Sequence, residues 1–175
     1  DATGTETILR TGERYHLDPE QVTVDLWDLN DAIERASIAL DPTAHIAALR
    51  EVIALHTGVV ADGNSWLWLH PHREATRRRL LDAYVALADT EPDPQNALAH
   101  IQDAISLDPY NEDVYQRAMR LHALLGNTEG IRRTLRALSE RLTELEIRVS
   151  PQTQQVATDL IGRVDARRRI AGTAA

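Results

Sequence analysis

The sequence predicts an all-α fold built of stacked helical hairpins, and three observations carry that prediction. Apolar residues recur at steps of three and four through most of the chain, Pro and Gly punctuate these runs, and part of the pattern repeats. Ala97, Leu98, Ala104 and Ile105 lie one period ahead of Gly130, Ile131, Ala137 and Leu138, an offset of 130 − 97 = 33 residues. The same offset carries Leu81, Val85 and Ala88 onto Val114, Ala118 and Leu121.

A helix-turn-helix unit of about 34 residues is the signature of tetratricopeptide-type repeats, in which no hairpin buries its apolar face alone. The expected architecture is a tetratricopeptide-like right-handed stack of three helical hairpins plus a C-terminal capping helix, with a short N-terminal β-hairpin. The segments expected are 1–24 as hairpin and linker, a remnant of a preceding domain; 25–170 as the helical domain; and 171–175 as a disordered tail.

Thr7–Thr11 and Arg14–Leu17 flank Gly12-Glu13, a two-residue β-hairpin turn with Gly at the first central position. Two strands are marginal in water, so this piece is expected to dock on the helices or to belong to a neighbour. Asp25 is expected to cap a first helix carrying Leu26, Leu29, Ile33, Ala36 and Leu40 inward, with Asp41-Pro42 as its stop. Thr43 is expected to cap a second, with Ile46, Leu49, Val52 and Ile53 on one face and Gly58 at its C-terminal end. After Asp62-Gly-Asn-Ser65 and Trp66-Leu-Trp-Leu69, a third helix is expected over His72–Asp89.

Pro94 suits the first turn of a fourth helix, which runs to Leu107 before Asp108-Pro109. Asn111 caps a fifth, with Val114, Ala118, Leu121 and Leu125 on its apolar face and Gly126-Asn127 as the turn. A sixth shows Ile131, Leu135, Leu138, Leu142 and Leu145, a buried face rather than a coiled-coil seam at this length. Ser150-Pro151 opens a seventh through Val156, Leu160, Ile161 and Val164, which reads as a cap over the last hairpin.

The 175 residues include 27 acidic and 19 basic side chains, for a net charge of −8, a balance that repels a phosphate backbone. All the basic residues are arginine, and neither cysteine nor phenylalanine occurs. Without cysteine, disulfides and thiolate metal sites are excluded, which fits a cytoplasmic protein. No apolar run reaches the ~18 residues of a membrane span. The chain opens on Asp1 rather than Met, so a piece of a longer protein is expected.

Catalytic chemistry finds no foothold. No phosphate-binding glycine loop, Gly-x-Ser-x-Gly elbow or His-Glu-x-x-His helix is present, so neither enzyme activity nor a cofactor is expected. His70-Pro-His72 with Glu74 is the one cluster resembling a metal site, but it lacks further converging ligands and reads as a loop-to-helix junction. The remaining histidines, His16, His45, His56, His100 and His122, read as half-buried packing residues. Arg77–Arg79 and Arg132, Arg133 and Arg136 fan around their helices at about 100° per residue and read as solvated faces near acidic partners. Trp66 and Trp68 alternate in what reads as an extended segment, so one is expected to pin the loop to the core or to anchor a partner.

In a hairpin array the first helix of each pair lines a concave face that takes a partner helix or peptide. On that face the candidate partner-binding residues are Arg77, Tyr84, Arg117 and Arg120, joined by Trp66 and Trp68 in the loop. Tyr84 and Arg117 are related by the same 33-residue offset (117 − 84 = 33) and are expected to face alike.

Arg14-Tyr-His-Leu17 with Val24-Asp25-Leu26, then Ala54-Leu-His-Thr-Gly58 with the Trp-bearing loop and Arg73-Glu74, resemble the bacterial transcriptional activator domain of actinobacterial SARP-type regulators. So do Leu107–Asp113, Met119–His122, Arg136-Ala-Leu138 and Ser150-Pro151; the match runs from Tyr15 to Val164. The resemblance implies a module that sits beside an OmpR-like winged helix and supports dimerisation and transcriptional control. The winged helix itself is missing here, so no DNA contacts carry over. A related arrangement joins the module to a LysM segment and transmembrane helices, which implies an envelope scaffold instead. A third expectation is a sensor for a small anionic ligand held by arginines. The partners expected are thus a protein, either a second copy or a linked DNA-binding domain, with no nucleic acid or membrane touched by this segment.

Overall fold

The computed structural model describes residues 7–173. Among these, the order is β1 (Ile8–Thr11), β2 (Arg14–Leu17), then seven helices: α1 (Asp25–Ile38), α2 (Pro42–Leu55), α3 (Leu69–Thr90), α4 (Pro94–Leu107), α5 (Glu112–Leu124), α6 (Thr128–Thr143) and α7 (Pro151–Thr173). The all-α class with a two-stranded N-terminal hairpin is as the sequence predicts. The chain divides into two compact units, Asp1–Gly58 and Val59–Ala175.

In the first unit β1 and β2 pair antiparallel, Ile8 opposite Leu17 and Thr11 opposite Arg14. Gly12 turns between them at φ +65°, a conformation open to glycine. Most side chains of this hairpin are exposed. α1 packs on α2 through Leu29, Ala32 and Ala36 against Ala48, Leu49 and Val52. Here several predicted ends shift. Asp25 is the first helical residue rather than the cap, its carboxylate accepting from the Leu26 N–H at 2.8 Å. Leu40 lies beyond α1 and is 98% exposed, because Ala39 turns extended before Asp41-Pro42. Asp41 caps α2 in place of Thr43, accepting from the Ala44 N–H at 2.8 Å with Pro42 at the first turn. α2 stops at Leu55, short of Gly58, because His56 leaves helical geometry.

In the second unit α3 packs on α4, α4 on α5, α5 on α6, and α7 lies against both α5 and α6. Ala97, Ala104, Ala118 and Ala157 are buried, and their small side chains let helices approach closely. Three clusters form the interior. Ala88, Ala97, Leu98, Ile101, Ala104, Val114 and Ala118 join α3, α4 and α5. Tyr115, Leu138, Leu142 and Val149 lie between α5 and α6. Met119, Ile131, Ala157 and Val164 fix α7.

α3 begins at Leu69 rather than His72, since Pro71 falls within the first turn, where its missing N–H costs nothing. Leu145 does not join the buried face of α6. The helix ends at Thr143, Glu146 takes φ +59°, and the Ile147 N–H returns to the Leu142 carbonyl at 3.0 Å, which leaves Leu145 exposed. α7 stays helical through Thr173, so it covers the start of the expected tail; residues 174–175, like 1–6, lie outside the described residues.

Candidate functional site

The first helices of the two hairpins in the second unit, α3 and α5, flank a cleft of about 490 Å³, closed on the third side by α7. Its lining includes Ala88 and Asp89 of α3, Gln116, Arg117 and Arg120 of α5, and Gln152 of α7. Arg117 donates from Nη1 to both carboxylate oxygens of Asp89, at 2.7 and 2.9 Å, across the cleft wall. Both partners are partly exposed, so this pair orients side chains more than it stabilises the fold.

The joint between α5 and α7 is a polar chain that the sequence reading missed. Glu112, in the first turn of α5, accepts the Ser150 N–H at 3.0 Å and its hydroxyl. Ser150 in turn accepts the Thr153 N–H at 3.2 Å, the bond of a helix N-cap. Buried Gln116 donates to Thr153 Oγ1 at 2.8 Å, and Arg120 donates to Gln116 Oε1 at 3.1 Å. Both ends of the Gln116 amide are therefore satisfied, as its burial demands. The one sequence signal was Ser150-Pro151 as a helix start; its long-range partner, 38 residues away, leaves no local trace.

Burial pushes the Glu112 carboxyl upward, but the hydrogen bonds from Ser150 and Thr153 outweigh it and hold the group below 4.5. A depressed carboxyl adds stability that is complete above 4.5 and lost as pH falls through the lower folded value. We expect Glu112→Gln to flatten that acid limb in urea unfolding between pH 7 and pH 3. At neutral pH it should cost about 1 kcal/mol, allowing for solvent screening.

The other predicted residues fall elsewhere. Arg77 is bound within the fold, bridging Glu74 at 2.8 Å and Asp108 at 2.8 Å, and these carboxylates raise its pKa. Tyr84 packs against the cluster around Ile101, where burial raises its pKa. The cleft thus gathers Arg117 and Arg120 but not Arg77 or Tyr84, even though the repeat offset relates Tyr84 to Arg117. Arg78 also reaches Glu74, whose carboxyl is held down to about 2 by the hydrogen bonds from Arg77 and Arg78. Glu74 of the His70–Glu74 cluster is thereby occupied, and among the described residues no group of three or more such side chains is placed to hold a metal.

Trp66 and Trp68 depart from the extended reading. The backbone turns here, with Leu69 N–H to Trp66 O at 3.0 Å, so the two rings stack at 5.7 Å instead of pointing apart. Neither pins the loop: they are 54% and 62% exposed. That task falls to Arg73, which donates to the carbonyls of Val60 at 2.8 Å, Ala61 at 2.7 Å and Asn64 at 2.8 Å, while Leu69 is buried.

This geometry defines a helical-hairpin protein with a cleft between α3, α5 and α7 and an exposed aromatic pair. The bacterial transcriptional activator domain model matches residues 24–160, and the chain belongs to that family. No curated protein matches the sequence significantly. The chain therefore carries a domain of transcriptional regulators, and among its described residues no helix is long and apolar enough to cross a membrane.

Proposed function

We propose that the chain is a regulatory protein-interaction and dimerisation domain of a bacterial transcriptional regulator, engaging a second copy or a linked DNA-binding domain through the α3–α5–α7 cleft. The carrying observation is that Arg117, Arg120, Asp89 and Gln152 converge there on a network-supported scaffold. Mixed charge of this kind suits a polypeptide with side chains of both signs better than a simple anion. The stacked Trp66 and Trp68 supply a second contact with large rigid area. Direct DNA binding is disfavoured by the net charge of −8.

Light scattering on the isolated chain over a wide concentration range tests the self-association arm. We expect molar mass to rise with concentration and Arg120→Glu to suppress that rise. A strictly monomeric chain at all concentrations removes the dimerisation role, and a sequence-specific gel shift at physiological salt removes the electrostatic argument.

A further inference from the structure

A second groove, of about 720 Å³, runs between α4, α5 and α6. It is lined by Gln102, Ile105 and Ser106 of α4, Pro109 of the α4–α5 turn, Tyr115 and His122 of α5, and Arg133, Thr134, Ala137 and Arg141 of α6. This volume falls in the range of small-molecule sites. No carboxylate lines it, although the chain carries 27 acidic residues. The α3–α5–α7 cleft, by contrast, contains Asp89 and Asp113.

The groove is also asymmetric. Arg141 is tied to Glu144 at 3.1 Å, whereas Arg133 makes no ion pair among the described residues. Residues 133 and 141 are eight positions apart on α6, about 12 Å along the axis, so one compact anion is not shared between them. At the Arg133 end stand the Thr134 hydroxyl and the His122 ring, whose Nδ1 is buried without a hydrogen-bond partner. Burial chiefly, and then the Arg133 charge, hold the His122 pKa below its usual value, so positive charge already acts on this corner. Ile105, Pro109, Tyr115 and Ala137 supply an apolar floor beyond it. Tyr115 is fixed there by donating its hydroxyl proton to the Pro109 carbonyl at 3.1 Å.

We propose that this groove binds a small organic anion, its phosphate or carboxylate on Arg133 and Thr134 and its apolar or aromatic body on Tyr115, Ile105 and Ala137. An unpaired guanidinium beside a hydroxyl recognises the head, and the apolar floor selects a body over a bare ion. The site is independent of the cleft assigned to protein partners.

Phenyl phosphate and phenylacetate, titrated into the full chain and followed by calorimetry and amide NMR, test it. We expect saturable binding of at least one, with shifts concentrated at Ser106, Tyr115, His122, Thr134 and Ala137. Arg133→Gln should weaken it at least tenfold; Arg133 is an exposed helical position and Gln has similar helix propensity, so folding is preserved. Arg163→Gln, the same charge change on α7, should alter it less than twofold. The tighter of the two probes identifies the head group. Four results overturn the proposal: no saturation by either probe, shifts centred on Arg117 and Arg120, equal losses in both variants, or inorganic phosphate binding as tightly as phenyl phosphate.

Discussion

Leu138→Ala is expected to lose about 2–5 kcal/mol of unfolding free energy, toward the upper part of that range. Leu138 is 0% exposed and packs with Tyr115, Leu142 and Val149. The cost of a cavity depends on how far neighbours collapse into it, and here the largest neighbour is held back. The Tyr115 hydroxyl is bonded to the Pro109 carbonyl at 3.1 Å, so its ring cannot swing inward without breaking that contact. Urea unfolding at neutral pH measures the loss directly. A loss below about 1 kcal/mol would mean that the α5–α6 interface relaxes freely, contrary to its packing.

Gly130→Ala is the second large effect, and its sign is not obvious from sequence. Alanine is the better helix former by about 1 kcal/mol, and Gly130 sits within the first turn of α6. An added Cβ, however, would meet the His122 ring at 2.5 Å to Nδ1, 2.7 Å to Cγ and 2.8 Å to Cε1. Three ring atoms approach at once, so the whole imidazole must move. Overpacking of this kind costs about 1–3 kcal/mol and outweighs the propensity gain. In a His122→Ala background the clash is gone and the same substitution should become neutral or stabilising. Thermal unfolding of the four proteins in that cycle decides the matter, and additive effects would exclude the clash as the cause.

The helices were legible because each buries a stripe at steps of three and four between Pro and Gly stops. Pro94 at the start of α4 and Asn111 as the cap of α5 are where the sequence puts them. Caps were missed where two residues competed: Asp41 and Thr43 both suit a helix start, and only the position of Pro42 in the first turn favours Asp41. Repeat arithmetic found the buried positions, since Leu98 and Ile131 are both interior. It did not find the site, because equivalent positions carry different side chains: Tyr84 joins the core cluster where Arg117 lines the cleft. The Glu112–Ser150 contact and the Arg133 groove arise from residues far apart in sequence, and no local pattern encodes them.

One guanidinium gathers the carbonyls of Val60, Ala61 and Asn64, and so ties the loop before the tryptophans to α3. A partner docked on the indoles, as proposed above, would meet a segment whose wandering has already been restricted, and its residence time would become hostage to a side chain it never touches.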